Sequence, residues 1–250
     1  MTSTGSPVPD ARPASYPAND SVEALLAAAA DPGLNEALAL ALLRQTALPS
    51  AAIEVLVKNR AVARGRKVQR ALLLHRHTPR QVWLPFVRNM ATLELAVVAL
   101  SPTVPAEVQR ACEEAVIVRV KTISLGERKT LARRSTSRLA GALLLDKEER
   151  IMQAALANPQ MTEVSIVKAL KAGHGTELLA PAVSRHQKWS YRNDVKAALL
   201  GNKDTPSGRL IHLAAELPIN LIKDVLRSGR LSTQAKNSLI AVLEKRGVRA

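Results

Sequence analysis

A chain of 250 residues, 47% of them apolar, can bury a substantial core, but aromatics make up only 2%, so Leu, Ala, Val and Ile must do the packing. The formal net charge is +15 and Cys112 is the single cysteine, which excludes an intramolecular disulfide and a cysteine-based zinc site. No uninterrupted apolar run approaches the roughly 18 residues of a membrane span, and the opening MTSTGSPVPDARPASYP lacks the basic and apolar regions of a secretory signal. These features predict a cytoplasmic protein with no membrane contact.

In chain order, residues 1–18 are rich in Ser, Thr, Pro, Ala and Gly without apolar periodicity, which predicts a disordered tail. From residue 19 onward nearly every segment has helical spacing. SVEALLAAAA follows the capping run Asn19-Asp20-Ser21, and NEALALALL and SAAIEVLVKN flank a break at Leu48-Pro49. RKVQRALLLH, RQVWLPFVRN, TLELAVVAL and AEVQRACEEAVIVRVKTI come next. Beyond Gly126 lie ERKTLARR, SRLAGALLL, EERIMQAALA, TEVSIVKALKA, TELLAPAVSR, YRNDVKAALLG, SGRLIHLAAEL, NLIKDVLRSG and STQAKNSLIAVLEKRG. No segment combines strict alternation with β-branched or aromatic enrichment. The expectation is all-α.

Two phrases recur. Thr78-Pro79 and Thr205-Pro206 each follow an Ala/Leu run, and Thr162-Glu163 is a third copy without the proline. The pattern predicts a helix stop followed at once by a start, with threonine as N-cap and proline as first helical residue. Thr162 to Thr205 is 43 residues and Thr78 to Thr162 is 84. AVSRHQKWSYRNDVKAAL begins 42 residues before DVLRSGRLSTQAKNSLI. Helix pairs at such a period are the mark of HEAT- or armadillo-type arrays.

The stretch from LGERKTLARRSTSRLAGALLLDKEERIMQAALANPQMTE through SRHQKWSYRNDVKAALLGNKDTP resembles the HEAT-like helical repeats of uncharacterised bacterial proteins. The resemblance covers roughly 120–246, and 35–118 by helix pattern alone. It implies a right-handed α-solenoid of helix pairs, period about 42 residues, over 19–250, with an irregular part over 19–118 and more regular repeats over 119–250. SPTVPAEV interrupts the spacing between Pro79 and Gly126. The resemblance implies a superhelical surface and no reaction.

Charge is distributed unevenly. Residues 1–54 carry two basic and six acidic side chains, so the rest of the chain nets +19. Between Val55 and Leu93 there are nine Lys/Arg and no Asp or Glu, and a second basic stretch runs from Arg119 to Arg138. Such an excess favours encounter with polyanions. Arg185, Lys188, Arg192 and Lys196 are spaced 3, 4 and 4, which predicts one basic helical face. The residues expected to contact an anionic partner are Arg64, Arg66, Lys67, Arg70, Arg133, Arg134, Arg185, Lys188 and Arg192.

No nucleotide, zincin or nucleophile-elbow motif is present, and no cofactor or metal is implied. His75 and His77 sit at a helix end without neighbouring ligands, which predicts capping. Cys112, followed by Glu113 and Glu114, reads as a small buried side chain, because adjacent carboxylates oppose a thiolate. The acids of DKEER, Asp146 to Arg150, read as complements to a helix start. Trp189 lies among Lys188, Tyr191 and Arg192, as a base-stacking residue would, but Leu231 holds the matching place 42 residues later and favours packing. Trp83 and Phe86, three apart, also read as core.

Three functions compete. The first is a non-enzymatic binding or scaffold module that takes an acidic partner through its basic surface. The second is a sequence-nonspecific nucleic-acid binder. The third, by fold analogy alone, is a HEAT-like DNA glycosylase using Trp83, Trp189, Asp146 and Asp194.

Overall fold

The structure, a computed structural model, describes residues 21–228 and 231–247. The tail expected over 1–18 lies outside the described residues. Among the described residues there are seventeen helices and no strand, so the chain is all-α. None of the described helices is long and apolar enough to cross a membrane.

The described residues through Ala91, with Ser101–Cys112, form one compact unit. It contains α1 (Val22–Ala30), α2 (Glu36–Leu43), α3 (Ser50–Lys58), α4 (Arg60–Ala63), α5 (Arg66–Leu74) and α6 (Arg80–Asn89). Helices here start on local chemistry: the Ser21 hydroxyl accepts from the Ala24 N–H, and the Asn35 amide oxygen from the Leu38 N–H. α1 packs on α3 and α2 on α5. Their shared core is almost wholly aliphatic, with Ala39, Leu42, Leu48, Ile53, Leu56 and Leu72 fully buried. In α5, Val68, Leu72 and Leu73 face inward, each burial contributing about 1.5–3 kcal/mol. That leaves Arg66, Lys67 and Arg70 on the exposed side of α5.

The second unit comprises Thr92–Leu100 and residues from Glu113 onward. It contains α7 (Thr92–Leu100), α9 (Leu125–Arg134), α10 (Ser137–Leu143), α11 (Glu149–Leu156) and α12 (Glu163–Leu170). It continues through α13 (Leu179–Arg185), α14 (Asn193–Leu200), α15 (Ser207–Glu216), α16 (Ile219–Arg227) and α17 (Thr233–Lys245), while α8 (Ala106–Arg119) runs from the first unit into the second. Within this unit α9 packs on α11, α10 on α12, α12 on α14, α14 on α16 and α15 on α17. α9 begins two residues earlier than the apolar spacing suggests, because Ser124 and Glu127 close a reciprocal capping box.

The Thr-Pro phrases stop helices as expected, but by a different bond. Pro79 and Pro206 themselves occupy the N-cap positions of α6 and α15, with no side-chain cap. The Thr78 and Thr205 hydroxyls turn back and donate to the carbonyls of Leu72 at 2.7 Å and Leu199 at 2.6 Å. The last carbonyls of the preceding helix have no intrahelical donor, so a hydroxyl held at the turn satisfies one of them. Thr162 behaves as expected: it is the N-cap of α12 and accepts from the Ser165 N–H.

Other carbonyls at turns and helix ends accept from side chains farther along the chain. His75 Nε2–H donates to Gln45 O at 3.0 Å and His77 Nδ1–H to Leu48 O at 3.0 Å. Asn158 Nδ2 donates to Ala132 O and Ser135 O at 2.8 and 3.1 Å, Asn202 Nδ2 to Leu170 O at 2.7 Å, and Arg246 Nη1 to Leu217 O at 2.6 Å. These bonds tie each turn to one 23–32 residues earlier, shorter than the 42-residue spacing of the sequence echoes.

His75 makes the first unit sensitive to acid. Its Nε2–H serves Gln45 while its Nδ1 accepts from the His77 N–H at 3.3 Å, so only the neutral ring satisfies both bonds. Burial pushes its pKa down; the Gln45 bond opposes this, and the nearby His77 and Arg76 add to the depression. A depressed histidine pKa means that the unfolded chain takes up the proton first as pH falls. Stability is therefore full above the ordinary value of 6.5 and declines below it, until the folded ring is also protonated. The urea midpoint of the first unit should drop between about pH 7.5 and 5.5. The His75→Gln variant, which keeps a donor for Gln45, should lose that part of the pH dependence. An unchanged pH profile in the variant would assign the effect to another group.

Candidate polyanion-binding surface

The nine basic residues expected to meet an anion are all exposed, and they divide between the two units. In the first, Arg64 ends α4, and Arg66, Lys67 and Arg70 line the outer side of α5. Lys67 lies 3.7 Å from Glu36, but both side chains are open to water, where such a pair contributes little. In the second unit, Arg133 and Arg134 close the last turn of α9, where they also complement the negative helix end. Arg185 is the last residue of α13, Arg192 the N-cap of α14, and Lys188 sits in the turn between them.

The basic ladder from Arg185 to Lys196 does not form one helical face. α13 ends at Arg185 and α14 starts at Asn193, because the chain turns extended at His186 (ψ 125°). Lys196 points inward: its side chain is 6% exposed and its Nζ lies 2.6 Å from the Glu216 carboxylate. The 3-4-4 spacing has meaning only along an unbroken helix.

Several other cations are likewise taken up by the fold. Arg128 Nη1 reaches both oxygens of Asp146 at 3.0 and 2.7 Å. Arg138 pairs with the buried Glu113 at 3.6 Å and with Glu114 at 3.3 Å, and Arg209 donates to Ser184 O at 2.6 Å. Arg80 meets Glu107 at 2.5 Å.

Two concavities mark the second unit. A groove of about 810 Å³ is formed by α12, α14 and α16, with Val164, Val167, Ala197 and Leu221 in its apolar wall and Glu163, Asp194 and Asp224 as acids. None of the nine expected basic residues lines it. A shallower cleft of about 500 Å³ lies between α9 and α11 and gathers Lys129, Arg133 and Arg150, with Glu149, Gln153 and Ala154. Arg133 was expected from the sequence; Lys129 and Arg150 were missed. The signal for Lys129 was its place four residues before Arg133 on one helix, whereas Arg150 was hidden in a segment read for its acids.

The residues weighed for chemistry are engaged in structure. Trp83 and Trp189 are buried, at 2% and 3% exposure, and the Trp189 Nε1–H donates to Leu156 O at 3.3 Å. Lys188 Nζ lies 4.2 Å above the Trp189 ring. Burial, and then the charge of Lys188, depress the pKa of the neighbouring His186. Phe86 packs half-buried against the core of the first unit, and Cys112 is fully buried. Asp194 is exposed in the first turn of α14, and Asp146 is held by Arg128. Among the described residues no cluster of three His, Cys, Asp or Glu side chains is arranged to hold a metal ion. Comparison with protein-family models, with curated proteins and with solved structures finds no match to this chain.

Proposed function

We propose that this chain is a non-enzymatic helical-repeat binding module, a HEAT-like right-handed α-solenoid, whose basic surface takes an acidic partner. One observation carries the proposal. Arg64, Arg70, Arg133, Arg134, Arg185 and Arg192 are exposed, and among the described residues none of them has an ion pair. Unpaired like charges repel one another in the folded state, and a polyanion relieves that repulsion while releasing its own counterions. Helices that pack on the next but one, and turns that bond to the preceding turns, support the stacked arrangement. The period of about 42 residues rests on the sequence echoes.

The second reading, nucleic-acid binding without sequence preference, is favoured by the acid-free stretch from Val55 to Leu93 and by the three cations of the α9–α11 cleft. The glycosylase reading has less support, since both tryptophans it would use for cradling a base are buried. Fluorescence anisotropy of labelled polyglutamate and labelled oligothymidylate, titrated with the full chain at several salt concentrations, tests the proposal. Binding that is sub-micromolar at low salt and weakens steeply as salt rises is expected. No binding of either probe at low salt would overturn it.

A further inference from the structure

We infer that the cleft between α9 and α11 is a phosphate-binding site that holds the backbone of a nucleic acid. The inference rests on the polyanion reading above and deepens it by naming the residues and the chemistry. Lys129 and Arg133 lie one turn apart on α9, and Arg150 reaches the same cleft from the first turn of α11. None of the three has an ion pair or a side-chain hydrogen bond among the described residues, although Glu149 lines the same cleft. By contrast, neighbouring Arg128 is committed to Asp146 and Arg138 to Glu113 and Glu114. The fold thus pairs Arg128 and Arg138 and leaves Lys129, Arg133 and Arg150 open.

The form of the cleft selects among anions. Its wall on α11 is Ala154, Ala157 and Gln153, small or flexible side chains that allow a sugar-phosphate backbone to approach closely. Glu148 is the N-cap of α11 and Glu149 lies in its first turn, so the positive helix end is already complemented and the positive field of the cleft comes from Lys129, Arg133 and Arg150. Two guanidinium forks and one ammonium match phosphate oxygens, for which bidentate arginine contacts are strong. Glu149 is repelled by any anion, but it can accept a hydrogen bond from a base N–H, such as thymine N3–H, which a row of carboxylate side chains does not offer. A nucleic acid supplies both, the anion from its backbone and the donor from its bases.

The test compares the wild-type chain with the triple variant Lys129→Gln, Arg133→Gln, Arg150→Gln, and with a control of equal charge change, Arg64→Gln, Arg70→Gln, Arg185→Gln. Affinity for a labelled oligothymidylate of about 16 nucleotides is measured across salt concentrations. The cleft variant is expected to lose more than tenfold in affinity beyond the control. Its plot of log affinity against log salt should be shallower by about 2, near 0.7 for each contact removed from a single strand. All six positions are exposed, and circular dichroism checks folding. Gln153→Glu, one added charge at an exposed cleft position, provides an independent variant that should also weaken binding. Equal losses in cleft variant and control would overturn the cleft assignment and leave the polyanion reading standing. Unlabelled polyglutamate that competes as well as oligothymidylate, charge for charge, would overturn the phosphate assignment. Absence of wild-type binding would remove the cleft and the polyanion reading together.

Discussion

Replacing Trp189 with alanine should destabilise the second unit by about 3–5 kcal/mol, a large share of the roughly 5–15 kcal/mol that holds a typical domain folded. The ring is 3% exposed, lies under the Lys188 ammonium at 4.2 Å, and faces the His186 ring with centroids 6.3 Å apart. Its Nε1–H meets Leu156 O at 3.3 Å, so truncation removes a large packed surface and also leaves a carbonyl at the end of α11 without that donor. Trp189→Phe separates the two contributions. It keeps most of the ring and loses the donor, and it should cost more than the roughly 1 kcal/mol of a single hydrogen bond, because the smaller ring leaves space behind. Urea unfolding gives both numbers. Oligothymidylate affinity of the folded Trp189→Phe variant should be unchanged. A variant that kept its stability but lost affinity would mean that the indole leaves its buried place to stack on a base.

Asp146→Ala should lower the stability of the second unit by about 3 kcal/mol, because it leaves the Arg128 guanidinium in a mostly buried site without its counter-charge. The Arg128 and Asp146 side chains are 24% and 8% exposed, and one arginine nitrogen contacts both carboxylate oxygens. Arg128 Nε is already buried without a hydrogen-bond partner among the described residues, so the site has little left to offer the cation once the aspartate is gone. Asp146 Oδ1 also accepts from the Glu148 N–H at 2.9 Å, shaping the turn into α11. Asp146→Asn keeps an oxygen for that bond and should cost less, about 1–2 kcal/mol. The reverse order, or a midpoint unchanged by Asp146→Ala, would show that the pair does not hold the fold. The same two variants bear on function, since a catalytic aspartate would show loss of activity on base-damaged DNA in a variant of unchanged stability.

What the sequence determined by itself is the set of helices, save the four-residue α4 (Arg60–Ala63), which it did not predict. Arg80–Asn89 and Thr92–Leu100 lie where apolar spacing places them, and the stops at Pro49 and Thr205-Pro206 separate helices in the structure. Caps, prolines and 3.6-residue periodicity act over a few residues, so they are legible in the chain alone. The exposed basic side of α5 was legible for the same reason, because Val68, Leu72 and Leu73 dictate which side faces out. The tertiary structure alone decided which polar groups are used to hold the fold. Lys196 has the spacing of a surface ladder yet is buried against Glu216, twenty residues on. Thr78 and Thr205 have the sequence of N-caps yet close the preceding helices, because proline takes the cap position and an unsatisfied carbonyl lies within reach. Lys129 and Arg150 become neighbours only because α9 packs on α11. Whether a cation is paired within the fold or left open to a partner depends on which carboxylates and carbonyls packing brings beside it, and that is set by contacts between segments far apart in the chain.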